Sequence, residues 1–374
     1  MDDRSKKLIL SRCSLVLAGT GVHLFGSGRW SCMLRFFFRI LFIFSIMLFG
    51  QDIVKSVIKQ GFNREIVINI SFMVADVASN VVLIHKRSKL EVFISTLTDH
   101  VNLWDARLLN RKICCLLAFF LLQSVISFVY QIINIEEVSY DTQLMSYAIA
   151  IGSTFSAFWT MSTCIFYWTT FQLMLASHRG QLKAAIRLIS IKHVDQGDIC
   201  RVIHSIRDSV DTFEQLLSPL PLLWFTHGMI SSPGVIYGLI ADPWDFMNVL
   251  HTLNEYIPPL LVAINASHGF HKIQQCVVTV NRLLKVNRVI NARDKILLSL
   301  ELDRLGSLKL TGMSYFTMDK SFVVSYTGWV LTFAALTAGL TEKAGTMSNV
   351  PSNHTLMEES GLTNKSVEKL TTVQ

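Results

Sequence analysis

The chain has 374 residues, of which 51% are apolar and only 16% charged, with a net charge of +7. A soluble domain carries about 25% charged residues, so the polar exterior needed by the roughly two or three soluble domains of a chain this long is missing. Glycine (19) and proline (7) are too scarce for a collagen-like or disordered chain, which leaves a polytopic membrane protein.

In chain order, residues 1–35 read as a cytoplasmic leader. Leu8 to Leu17 is weakly apolar, but Arg12 interrupts it and no small-residue cleavage site follows, which argues against a signal peptide. Seven stretches then suit the roughly 20 apolar residues of a membrane helix: Phe36 to Ile53, Ile66 to His85, Ile113 to Ile133, Leu144 to Leu173, Leu217 to Ile240, Phe246 to Ser267 and Phe322 to Leu340. Pro219, Pro221, Pro233, Pro258 and Pro259 fall in the fifth and sixth, and membrane helices tolerate proline where neighbours re-satisfy the backbone. The segments 174–216 and 268–321 are too periodic for linkers. Leu182, Ile186, Leu188, Val202, Ile206 and Val210 in the first, and Ile273, Val277, Val280, Leu284 and Ile290 in the second, recur mostly at threes and fours. They predict helices that continue the spans below the membrane and pack together. Residues 36–340 thus form one seven-span domain, with 268–340 as its final loop and span, and 341–374 form a tail.

Charge sets the orientation. Of the 34 Lys and Arg residues, 28 fall in the leader, the second loop and the two long loops, and 6 on the other side. The positive-inside rule therefore puts the N-terminus in the cytoplasm and the C-terminus outside. Asn353-His-Thr and Asn364-Lys-Ser in the tail match the glycosylation pattern, which requires that face. The seven cysteines fall in spans or cytoplasmic segments, so no structural disulfide is expected. This orientation is opposite to that of a G-protein-coupled receptor. The basic loop faces read as contacts with membrane lipid headgroups rather than with nucleic acid.

The segment Leu305 to Leu340, LGSLKLTGMSYFTMDKSFVVSYTGWVLTFAALTAGL, resembles the signature region of arthropod gustatory receptors, within the insect chemoreceptor superfamily. The leucine-rich Thr-Gly turn is Leu310-Thr311-Gly312, the aromatic is Phe316, and the step before the last span is Asp319-Lys320-Ser321. The Thr-Tyr position is Thr332-Phe333, Ala334 to Ala338 fill the apolar five, and Gly339-Leu340 stand where the family carries Gln-Phe. The resemblance implies an all-α, seven-span subunit assembling as a homo- or hetero-tetramer with related receptor subunits. The last spans would surround a cation pore above a shared cytoplasmic anchor. A small-molecule tastant would bind in a separate outer pocket of each subunit, in the plasma membrane of a sensory dendrite. It places Leu336 at the gate and Gly339 at the polar pore-lining position.

The residues allow independent readings. Ser325, Gly328, Thr332, Leu336 and Gly339 share one small, hydroxylated face of the last span, suited either to close helix packing or to a pore with an apolar constriction. Asp76 and Asn80 lie at i and i+4 in span two. Asn248, His251 and Glu255 share a face of span six, and Ser156, Thr160, Thr163 and Tyr167 a face of span four. Trp159 lies at mid-depth and Tyr130 near the outer end of span three. Their convergence would make a pocket for a sugar, an amine or an alkaloid, and the alternative is interhelical hydrogen bonding. The chain carries no HExxH, CxxC pair, Walker loop or GxSxG, and His268 and His271 lack a third ligand. Neither an enzyme nor a metal or other cofactor is expected.

Overall fold

The structure is a computed structural model that describes residues 29–61, 64–101, 103–135, 140–190, 196–241, 257–286, 290–306 and 308–348. These form helices α1 (Arg29–Gln60), α2 (Arg64–Asp99), α3 (Leu103–Ile135), α4 (Tyr140–Ser190), α5 (Gln196–Leu217), α6 (Pro219–Ala241), α7 (Ile257–Val286), α8 (Ala292–Gly306) and α9 (Lys320–Ser348). Among the described residues there is no strand beyond one isolated bridge, Thr311 to Thr317. Most of the leader and tail, with Asn353 and Asn364, lies outside the described residues, as do Asn248, His251 and Glu255.

The spans run longer than the apolar runs predict. α2 passes His85 without a break and ends at Asp99, and α4 passes Leu173 and ends at Ser190. The prolines fall where they cost little: Pro219 is the first residue of α6, and Pro258 and Pro259 lie in the first turn of α7, where a missing N–H removes no helical bond. Among the described residues, only Pro233 sits in a helix interior. Among the described residues, three helices are long and apolar enough on length and composition alone to cross a membrane, over Phe36–Lys59, Ile66–Asp99 and Asp105–Tyr130. α1 and α3 leave Phe36, Phe44, Met47, Phe119, Leu122 and Ile133 exposed, an apolar surface that requires lipid or a partner to cover it.

α4 is the hub and packs against α1, α2, α3, α5 and α7. Below the spans, the extensions of α2, α4 and α7 meet α5 and α8 in one knob with a continuous apolar core. Leu182, Ile206, Val210, Ile273, Val277, Val280 and Leu284 are all buried there, so the periodicity of the long loops does encode packed helices. α9 stands apart from this hub, against α6 and α7.

Candidate functional site

The segment before α9 folds into a small hairpin whose residues each have a separate task. Leu310 is fully buried and its carbonyl accepts the Met318 N–H at 2.9 Å. Gly312 donates its N–H to the Phe316 carbonyl at 3.0 Å, and the Phe316 ring lies over it. A Cβ at position 312 would stand 2.3 Å from that ring, so only glycine fits. Met313 and Ser314 complete the reversal in the left-handed region, with φ of 50° and 65°. Phe316 then stacks on Phe322 with centroids 4.4 Å apart and rings 7° from parallel, and Phe225 of α6 meets Phe322 edge-on at 4.8 Å.

Glu214 of α5 holds this hairpin from below. Its carboxylate accepts both the Thr311 backbone N–H and the Thr311 hydroxyl, each at 2.6 Å. Burial pushes the Glu214 carboxyl above its ordinary range, against the lowering effect of those two donors. At the top of the hairpin, the Asp319 carboxylate accepts the Phe322 N–H at 2.9 Å and so caps α9. Lys309 pairs with Asp319 at 3.6 Å, while Lys320 and Ser321 stay exposed. The Asp-Lys-Ser step is thus a helix start fastened to the cytoplasmic knob.

Among the described side chains, α9 buries one stripe, Tyr326, Val330 and Ala334. Ser325, Gly328, Thr332, Leu336 and Gly339 lie on exposed positions, with Leu336 56% exposed. Nothing stands within 4 Å of a Cβ built at Gly328 or Gly339. The small face is therefore not used for packing inside one subunit. Thr332 turns its hydroxyl back to the Gly328 carbonyl at 2.7 Å, and Phe333 is exposed beside it. Leu340 continues the same helix.

The membrane-embedded polar residues form a seam along α2. Asp76 and Asn80 are both buried, and the Thr160 hydroxyl of α4 donates to the Asp76 carboxylate. Ser71, further toward the outer end, bonds His227 Nδ1 of α6 at 2.9 Å. Trp159 is buried but faces α1, edge-on to Phe42 at 4.5 Å. Tyr130 lies elsewhere, in a shallow apolar groove on α3 with Val125, Ile126, Val129 and Ile133. Of the pocket residues named from sequence, the structure thus joins Asp76 and Thr160, buries Asn80 one turn along α2, sets Trp159 against Phe42 and puts Tyr130 in the groove on α3. Thr160→Val is expected to cost about 1 kcal/mol, the usual size of an interhelical hydrogen bond in a membrane bundle; a thermal-unfolding comparison in detergent checks it.

Two contributors escaped the sequence reading. Glu214 lies on the same helical face as Val210 and Leu217, an acid on an apolar stripe, which was the available signal. His227 is an ionisable residue inside span five, a position that itself suggests a task. Among the described residues no group of three or more His, Cys, Asp or Glu side chains is placed to hold a metal.

No protein-family model and no curated protein matches the chain. Its architecture is nonetheless similar to that of a solved protein. The structure of the insect olfactory receptor OR5 from Machilis hrabei in complex with eugenol superposes with a TM-score of 0.71 at 12% identity, covering 88% of this chain and 97% of that one. A second structure of the insect olfactory receptor OR5 from Machilis hrabei gives 0.67 at 13% identity, covering 87% and 96%. The chain has the all-helical, seven-span fold of an insect olfactory receptor subunit.

Proposed function

We propose that this protein is a ligand-gated cation channel subunit of the insect chemoreceptor superfamily, a gustatory-receptor-like taste receptor of the plasma membrane. The observation that carries the reading is the exposed hydroxyl-bearing face of α9, on a helix held at its base by Glu214 and Asp319. In a tetramer with copies of itself or with related subunits, that face lines a central path. Leu336 supplies an apolar constriction that closes by dewetting, and Ser325 and Thr332 supply hydroxyls. A small molecule binds nearer the outside, and the α2–α4 seam around Asp76 and Thr160 belongs to the machinery that responds to it. The tail carries glycans at Asn353 and Asn364.

Expression at a cell surface, alone and with related subunits, followed by current recording under sugars, amines, alkaloids and eugenol, tests the reading. A cation current evoked by any of them supports it. Silence from protein present at the surface opposes it. A second reading, a sensory receptor that signals through partners without conducting, draws on Gly339, which offers no side chain where the family places a polar one. Cellular responses that persist unchanged after Leu336→Ala and Gly339→Gln favour that second reading.

A further inference from the structure

The knob carries a cavity of about 790 Å³ walled by the cytoplasmic extensions of α2 and α4 and by α5. It lies well away from the α2–α4 seam and from the exposed face of α9. Its lining is chemically sorted. Phe93, Leu97 and Leu216 give an apolar base. The rim carries Lys86, Lys89 and Arg201, with His100 and His204, against one acid, Asp208. Arg201 is already paired with Asp198. Among the described residues, no carboxylate pairs with Lys86 or Lys89, so two cations face the cavity without a counter-ion.

Two polar groups of the floor are also unsatisfied. Ser177 is 1% exposed and Gln181 9% exposed, and both line the cavity. The Ser177 hydroxyl and the Gln181 carbonyl oxygen have no hydrogen-bond partner among the described residues. The Gln181 amide nitrogen is occupied, donating to Ser205 at 3.3 Å. A buried amide oxygen and a hydroxyl left open are costly unless something fills them. A carbonyl oxygen accepts only, so its partner must be a donor such as a hydroxyl. Cations at the rim ask for anions.

Hydroxyls at depth and several negative charges at the mouth describe one chemical class. We infer that this cavity binds a multiply phosphorylated polyol of the inositol phosphate type, ring hydroxyls on Gln181 and Ser177, phosphates on Lys86 and Lys89. Lys86 directly follows His85, the expected cytoplasmic end of span two, so the Lys86 end of the mouth is the end nearest the inner headgroups. The same chemistry comes either from a phosphoinositide headgroup or from a free inositol phosphate. The third wall, α5, also carries Glu214, so the occupant would rest on the helix that holds the base of α9.

The test uses the full chain in detergent micelles, with short-chain phosphatidylinositol bisphosphate, soluble inositol trisphosphate and short-chain phosphatidylserine as probes. Binding is read by native mass spectrometry and by the shift in unfolding midpoint. The bisphosphate lipid is expected to bind. The double substitution Lys86→Gln and Lys89→Gln weakens it about tenfold or more, the size of losing charge-assisted hydrogen bonds. Gln181→Leu, which deletes the acceptor at the floor, weakens it as well. Lys183→Gln, on the same helix but outside the lining, leaves it unchanged, and all variants are first matched for a cooperative unfolding transition. Equal binding of the trisphosphate assigns the site to a soluble ligand, and binding of the lipid alone to a headgroup; both support the inference. Absence of binding by either, equal binding of phosphatidylserine, or binding indifferent to Lys86, Lys89 and Gln181 would overturn it.

Discussion

Glu214→Ala lowers stability by about 2–3 kcal/mol, because it removes a charged acceptor and strands the Thr311 N–H that it satisfied. Both bonds, at 2.6 Å, reach across 97 positions of sequence from α5 to the hairpin below α9. The loss is therefore expected in two readouts, a lower unfolding midpoint and, if the proposed function holds, weaker gating of the ligand-evoked current. Glu214→Gln is the sharper variant, since it keeps one acceptor oxygen and abolishes titration. Burial raises the Glu214 carboxyl above its ordinary range despite the Thr311 donors. The native state accordingly holds that proton more tightly than the unfolded chain does. Its contribution to stability is present at low pH and is lost as pH rises through the raised value. The wild-type midpoint should fall relative to that of Glu214→Gln across that interval. Parallel pH profiles for the two proteins would show that the carboxyl is not buried in this way.

Gly228→Ala costs about 1–3 kcal/mol, the range for overpacking a close-packed contact. A Cβ there would stand 2.2 Å from the Tyr326 hydroxyl oxygen but 3.5 Å from the ring carbon that bears it. The conflict is thus with the hydroxyl alone, and Tyr326→Phe should relieve it. The double variant is expected to lose less than the sum of the two single losses, with a coupling above about 0.5 kcal/mol. Strict additivity in a double-mutant cycle would place the two side chains apart. Tyr326 leads the buried stripe of α9 and meets Phe225 edge-on at 5.0 Å, so the cycle measures directly how α9 rests on α6.

Much of the architecture was legible because it follows from solvent. Shortage of charge implies a membrane, the lopsided Lys and Arg distribution implies an orientation, and period-3.6 apolar positions in the long loops imply packed helices. Ile273, Val277, Val280 and Leu284 show this last inference at work, since each is buried in the knob. The Leu-Thr-Gly turn was legible as a motif, and the structure supplies its reasons: a ring over Gly312, an acid under Thr311 and a cap at Asp319.

What was not legible depends on distance across the chain. Asp76 announces itself as a costly residue in a span, but only folding puts Thr160 beside it rather than Tyr130. Trp159 and Thr160 are adjacent in sequence and face different helices, so depth in a span does not determine direction. The residues of the small face on the last span favour close helix packing, and the family resemblance favours a pore. Within this one chain Tyr326, Val330 and Ala334 take the packing, and Leu336 stays exposed. His227 shows the opposite case, a signal present in span five whose partner, Ser71, lies 156 positions away.

The proposed role of the exposed face of α9 is to line a cation path closed by Leu336. It is tested most directly, without a ligand, by recording standing current from Leu336→Thr at a cell surface, beside wild type and Val330→Thr as a control on the buried stripe. A hydroxyl at an apolar constriction keeps it wet, so a constitutive cation conductance is expected from Leu336→Thr alone. Leu336→Thr protein that reaches the surface at wild-type levels and remains electrically silent would overturn this role.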